Sequence, residues 1–355
     1  MSHASQPPGR AGWWIASSVA VAIAALSLID LPNNAFSGFI ASGGTQVTQV
    51  TPESPAAVAG FQVGDRILVS AGVDTTDLRR LIRQPRAAIG ETRHYLVERQ
   101  GESAPVELAV TFSELPRNLI GLTYGAALIG LAFLVCGVGT YFRFPAATSR
   151  LLAYLGVAGL IAFVAPPYIA QADLRLISAL VALATTLLMP ALLLHFFLRF
   201  PLRRPFLDRK IARGLLYGPV AIATVVAGVA LLVQPKLVQL ATAVASAVAV
   251  VQLLIAIGVL IRSFVKAHPE ERAASGLNVL LFSFLGGVLP LVVAGFVPSL
   301  PGASNYFLTS LLIPIALAYA VSQAADGRPV ERRTVPAHSG VNAGANPWID
   351  VDGSS

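Results

Sequence analysis

Few side chains in this sequence are equipped for chemistry. The histidines are His3, His94, His195, His268 and His338, the one cysteine is Cys136, and 18 residues are acidic. A zinc hydrolase of the membrane class needs two histidines four apart on one helix face, with a glutamate as base. No such pair exists, and "HPEER" at 268–272 lacks the second histidine. Cleavage by aspartates needs two carboxylates inside apolar spans. Here every acidic residue falls in a polar stretch or at a span edge, as Asp30 does. No serine occupies a G-x-S-x-G turn. A single cysteine makes neither an intrachain disulfide nor a thiolate metal site, and reads as a small core residue. The expectation is no enzyme, no metal and no cofactor. Transport is disfavoured too, since proton and ion relays in lipid rest on buried carboxylates. Thr185, Thr186, Gln252, Asn278 and Tyr319 suit hydrogen bonds between helices instead.

The elements that must carry these groups are mostly apolar. Of 355 residues, 55% are apolar and 12% charged, about half the charged fraction of an ordinary soluble domain. The predicted fold class is mainly α: a polytopic helical membrane protein. A crossing helix takes about 20 apolar residues, and eight runs qualify, at about 13–30, 118–142, 150–169, 175–198, 214–234, 238–261, 277–298 and 304–323. Pro166 and Pro167 interrupt the third; Pro190, Pro219, Pro290 and Pro314 fall within others. The net charge of +7 is not a nucleic-acid signature here, because the basic residues lie in short loops as topology signals. Arg143, Arg150, Arg199, Arg203, Arg204, Arg209, Lys210, Arg213, Arg262, Lys266 and Arg272 share one side; Arg175 and Lys236 share the other. The rich side is cytoplasmic by the positive-inside rule, which also places both termini inside. Trp13, Trp14, Tyr141, Phe142, Tyr306 and Phe307 lie near span ends as interface anchors. Arg10 ahead of an apolar run also fits a cleaved leader, although "IDLPNNAFSG" makes a poor cleavage site. With or without cleavage, the long segment after this first span is exported.

Residues 36–113 change character, with charges, turn residues and short alternating runs. "TQVTQV" at 45–50 and "RILVS" at 66–70 predict strands, "TTDLRRLIRQ" at 75–84 a helix, and "RHYLVER" with "VELAVTF" a hairpin around Gln100, Gly101 and Glu102. Pro52-Glu53-Ser54-Pro55-Ala56-Ala57 and Ala59-Gly60, followed by Val63-Gly64-Asp65-Arg66-Ile67-Leu68, resemble a PDZ domain. Ser54-Pro55 opens a short helix, Gly60 ends it, and Gly64-Asp65 turns the chain into a buried strand. The resemblance implies a small α+β domain between the first two helices that binds an extended peptide by strand addition. It also implies a backbone loop for the terminal carboxylate at Phe36, Ser37, Gly38 and Phe39, continuing into an edge strand at Ile40. Leu78 and Ile82 would form the opposite groove wall. Two strands after that helix imply the permuted bacterial arrangement.

"LLHFFLRFPLRRP" at 193–205 is similar to the "HFFLxFP" element in membrane sensor portions of certain bacterial histidine kinases, which also carry a PDZ-like lobe between their first two spans. His195, Phe196, Phe197, Leu198, Phe200 and Pro201 match, with Arg199 at the variable position. Physically, Pro201 stops a helix, the phenylalanines pack, His195 hydrogen-bonds a neighbouring helix, and the arginines meet anionic headgroups. No kinase domain is expected after the last span: "DGRPVERRTVPAHSGVNAGANPWIDVDGSS" is polar and too short for a core. The expected organisation is a cytoplasmic N-terminus at 1–12, helix 13–30, an extracytoplasmic lobe at 36–113, a seven-helix bundle at 118–323 and a disordered cytoplasmic tail at 324–355. The expected location is a bacterial inner membrane. The expected role is a receptor-like sensor subunit with an envelope peptide or protein at its lobe, lipid around its bundle and a signalling partner inside. The alternatives are a scaffold presenting envelope proteins to a separate protease or assembly machine, and a transporter.

Overall fold

The computed structural model describes residues 10–42, 45–164, 166–200, 210–233, 235–296 and 308–326. The expectations placed on 1–9, on Pro201, Arg203, Arg204, Arg209, Tyr306 and Phe307, and on the tail beyond 326 lie outside the described residues.

The chain begins with helix α1 (Arg10–Asp30) and a 3-10 turn at Leu31–Asn33. The lobe comes next as β1 (Ala35–Phe36), β2 (Phe39–Ser42), β3 (Gln46–Val50), α2 (Pro55–Val58), β4 (Arg66–Ser70), β5 (Val73–Asp74), α3 (Leu78–Arg83), β6 (Thr92–Glu98), β7 (Val106–Thr111) and β8 (Ser113–Glu114). Helices α4 (Arg117–Arg143), α5 (Ala147–Phe163), α6 (Ala172–Arg199), α7 (Lys210–Val233), α8 (Pro235–Lys266), α9 (Pro269–Ala274), α10 (Leu277–Phe296) and α11 (Leu312–Asp326) complete it.

Among the described residues, six helices are long and apolar enough to cross a membrane, and Ala147–Phe163 and Leu277–Pro290 are shorter apolar helices. The expected third span stops at Phe163 instead of 169. Val164 is already extended, and the Pro166-Pro167 pair has no N–H to continue a helix and disfavours the α conformation before it. Helix α5 lies tightly on α4 because glycines let the backbones meet. A Cβ on Gly156 would stand 2.6 Å from the Phe133 carbonyl oxygen, and one on Gly137 would overlap the Leu152 carbonyl. Lipid offers no hydrophobic drive between helices, so such close contact supplies the attraction. Elsewhere the bundle packs Phe196, Phe197, Leu277, Leu280, Phe284 and Leu317, all fully buried.

The expected strands and helices of the lobe are present. Its sheet runs β2-β3-β4-β6-β7, antiparallel throughout, with β5 on β4. Tyr95, Val97, Leu108 and Val110 point inward along β6 and β7 and meet Val47, Ala56, Phe61 and Ile67. The entry and exit linkers pair with each other, Ala35 opposite Glu114 and Phe36 opposite Ser113. Both connections to the membrane helices therefore leave as one ribbon.

The ends of the helices sort into two sides. Helix α3 lies against α6 and α7, on the lobe side. At the other end the Trp13 ring lies tilted against Tyr141 (5.5 Å) and edge-on to Tyr154 (4.9 Å), and Trp14 lies tilted against Phe142 (5.2 Å).

Candidate binding site

The sequence places Ser54 where its hydroxyl can cap a helix. It accepts the Ala57 N–H (3.3 Å), with Pro55 in the first turn. That cap also anchors the loop in front of β2. The Ser37 carbonyl accepts the Ala56 N–H (2.9 Å), and the Gly38 carbonyl accepts the Thr51 N–H (2.7 Å) and the Ser54 hydroxyl (3.4 Å). In a trans peptide unit the C=O and the following N–H point opposite ways. With both carbonyls turned toward α2 and β3, the N–H groups of Gly38 and Phe39 are turned away from them. Gly38 has φ +89°, and any Cβ there would overlap the Ser54 side chain. Only glycine fits.

Strand β2 is an edge of the sheet. Phe39 faces Val50 as a partner. Because the neighbouring bond runs from Thr51 to Gly38, this pair is of the non-hydrogen-bonded kind. The Phe39 N–H and C=O therefore face the open edge, the pattern an added strand requires.

Not every residue named from the sequence plays the part expected. Phe36 is a strand residue committed to β8, so it is not loop. The ring of Phe39 stacks on Phe61 (4.7 Å) and meets Tyr95 edge-on (5.6 Å); its contribution at the edge is backbone alone. Ile40 is 58% exposed beside that edge. Leu78 and Ile82 lie on α3 as expected, and their side chains are outside the described residues. Asp77 caps α3 by accepting the Arg80 N–H (3.1 Å), and Gln84 Nε2 donates to the Ser70 carbonyl (2.9 Å), holding the helix end to β4.

Within the lobe lies a shielded ion pair that composition did not single out. Arg99 donates from Nε and Nη2 to both carboxylate oxygens of Asp65 (2.8 Å each) and from Nη2 to the Gly60 carbonyl (2.8 Å). The Gln62 N–H donates to the same carboxylate (2.8 Å). Burial raises the Asp65 carboxyl, but the Arg99 bonds, the Gln62 amide and the Arg99 charge outweigh it and hold it below the ordinary carboxylate value. The signal in the sequence was the Gly64-Asp65 turn; its partner sits 34 residues away on the hairpin.

The membrane motif is internal. His195 Nδ1 lies 2.7 Å from the Tyr217 hydroxyl on α7, as expected of a ring bonding a neighbouring helix. Phe196 stacks on Phe200 (5.3 Å), Phe197 meets Phe284 edge-on (5.2 Å), and Arg199 ends α6. Thr185 and Thr186 bond carbonyls of their own helix, at Val181 and Ala182, in place of the interhelical bonds expected. Gln252 does cross between helices, from α8 to the Leu216 carbonyl (2.9 Å).

A family model described as a PDZ domain matches residues 46–89, from β3 through α3. The match begins beyond the loop at 36–40, whose role rests on its carbonyl and amide geometry. A solved structure titled as that of a serine endoprotease from Yersinia pestis is 28% identical over 24% of this chain and 30% of that one, with a TM-score of 0.21. The chain thus spans under a third of that protein's length. No curated protein matches the chain.

Proposed function

We propose that this chain is a receptor-like signalling subunit of a bacterial inner membrane. Its lobe binds extended peptide or protein segments on the envelope side. The observation that carries this reading is the pair of successive amides at Gly38 and Phe39, turned out at the start of an unpaired edge strand. A peptide added along β2 gains main-chain bonds, and its terminal carboxylate gains charge-assisted bonds from the two N–H groups, each about twice as strong as a neutral one. The matched family supports peptide or protein binding. The arginine-rich loops support cytoplasmic termini, an exported lobe and an output partner inside. The sensor role is supported by the likeness of His195–Phe200 to the kinase-linked element, in a chain whose lobe also stands between its first two apolar helices.

The test uses the full chain in lipid nanodiscs with a fluorescent library of peptides bearing free C-termini. The expected result is saturable binding that amidation of the carboxylate weakens. Equal affinity for amidated peptides would reject carboxylate capture, and no binding at all would reject the peptide site. A reporter fused at Gly101 is expected to respond only outside the cytoplasm; a cytoplasmic response would invert the topology.

A further inference from the structure

Helix α3, the wall that the PDZ resemblance implies for the proposed groove, is also the part of the lobe that lies against the bundle. Arg86, two residues beyond the Gln84 cap of α3, forks onto Asp30 at the end of α1, from Nη1 at 2.6 Å and Nη2 at 3.2 Å, and reaches Asn34 Oδ1 at 2.7 Å. The same residue donates its N–H to the Tyr168 hydroxyl (3.3 Å) in the loop before α6, and its guanidinium lies 4.6 Å over the Tyr168 ring. Arg175, in the first turn of α6, covers the ring at 5.6 Å and donates to the Gln84 carbonyl at 3.2 Å. A shallow cavity of about 330 Å³ lies beside this cluster, lined by Asn33, Arg86, Ala87, Ala88, Ile89 and Tyr168.

A flexibly tethered lobe needs none of this. The side chains of Arg86 and Asp30 are only 25% and 29% exposed, so the fork is partly shielded from water and screened less than a surface pair. Gln84 is held on both sides: its amide grips β4 at Ser70, and its carbonyl is gripped by α6. Helix α6 then runs 28 residues to His195–Arg199 at the far side.

We propose that Asp30, Arg86, Tyr168 and Arg175 form a clamp that fixes the lobe rigidly on the bundle, so that movement of α3 is delivered to the lobe-side end of α6. The coupling to peptide entry rests on the proposed peptide groove; the clamp itself does not, and its test needs no peptide. Spin labels are placed on a Cys136→Ser background at Val63→Cys on the lobe and Gln171→Cys before α6, in nanodiscs. The expected result is one narrow inter-label distance, lost in Arg86→Gln and regained in the charge-exchanged pair Asp30→Arg with Arg86→Asp. Hydrogen exchange in β4 and β6 is read alongside, to confirm that the lobe stays folded in each variant. A broad distribution in the parent protein, or a narrow one that survives Arg86→Gln and Tyr168→Ala together, overturns the clamp. Failure of peptides to bind would leave that distance measurement intact, so the two proposals fail separately.

Discussion

Replacing Arg99 with alanine is expected to reverse the sign of the lobe's response to acid. The Asp65 side chain is 1% exposed and that of Arg99 17%. Three guanidinium bonds of 2.8 Å disappear, two of them from the buried carboxylate, which keeps only the Gln62 amide. Stranding one partner of a buried pair costs about 3–5 kcal/mol. A lobe of this size has about 4–12 kcal/mol in total, so a large share is lost near neutrality. In the parent protein the folded Asp65 carboxyl lies below its unfolded value. Its contribution is therefore complete above the unfolded value of about 3.9 and lost as pH falls through the folded one. In Arg99→Ala, burial (the largest influence on Asp65) is opposed by one amide alone, so the folded value rises above the unfolded one. The penalty is then greatest at neutral pH and is relieved by acidification toward about pH 4. Hydrogen exchange at Ile67–Ser70 and Tyr95–Glu98, corrected for intrinsic rates and followed against pH in the full detergent-solubilised chain, reads both effects. Subtracting one curve from the other removes the acid response shared by Asp74 and Glu91, whose carboxyls are also held low by hydrogen bonds. Asp65→Asn combined with Arg99→Met, which leaves no buried charge, is expected to recover part of the loss. Parallel pH curves for parent and Arg99→Ala, or a loss below about 1 kcal/mol, would refute the reasoning.

Gly38→Val is expected to abolish peptide binding, because its Cβ occupies the place of the Ser54 side chain and its φ of +89° is strained; titration with a binding peptide in nanodiscs checks this. Ser54→Ala removes a helix cap and the hydroxyl bond to Gly38, and is expected to cost about 1 kcal/mol and weaken peptide affinity, measured on the same samples. Gly156→Leu drives side-chain atoms into the Phe133 backbone and is expected to cost at least about 1–3 kcal/mol; unchanged thermal unfolding in detergent would show that α4 and α5 do not depend on close contact. His195→Phe and Tyr217→Phe are each expected to cost about 1 kcal/mol, and the double variant no more than either alone. Additive losses would mean that the 2.7 Å contact is not a working hydrogen bond.

The apolar runs and the lobe were legible because each depends on local pattern. Hydropathy marks a helix in lipid without reference to its neighbours, and Ser54-Pro55, Gly60 and Gly64-Asp65 state caps and turns within a few residues. The length of α5 was less legible: two prolines shortened a run that composition alone extended to 169. Side-chain direction was not legible at Phe39. A strand shows its alternation in sequence, but which face is core depends on Phe61 and Tyr95, brought from distant parts of the lobe.

From residue order alone came the division between long apolar helices and a turn-rich lobe, and the positions of the lobe's strands. These arise from solvent preference and backbone sterics, which act over a turn or two of chain. Tertiary structure decided which amides at Gly38 and Phe39 face outward, that Arg99 neutralises Asp65, and that Arg86 and Arg175 share one tyrosine ring with the ends of α1 and α6. The pairs Asp65–Arg99, Asp30–Arg86, Arg86–Tyr168 and Gln84–Arg175 join residues 34 to 91 positions apart. Each arises from packing, because a charge withdrawn from water must find its partner wherever the fold has carried it.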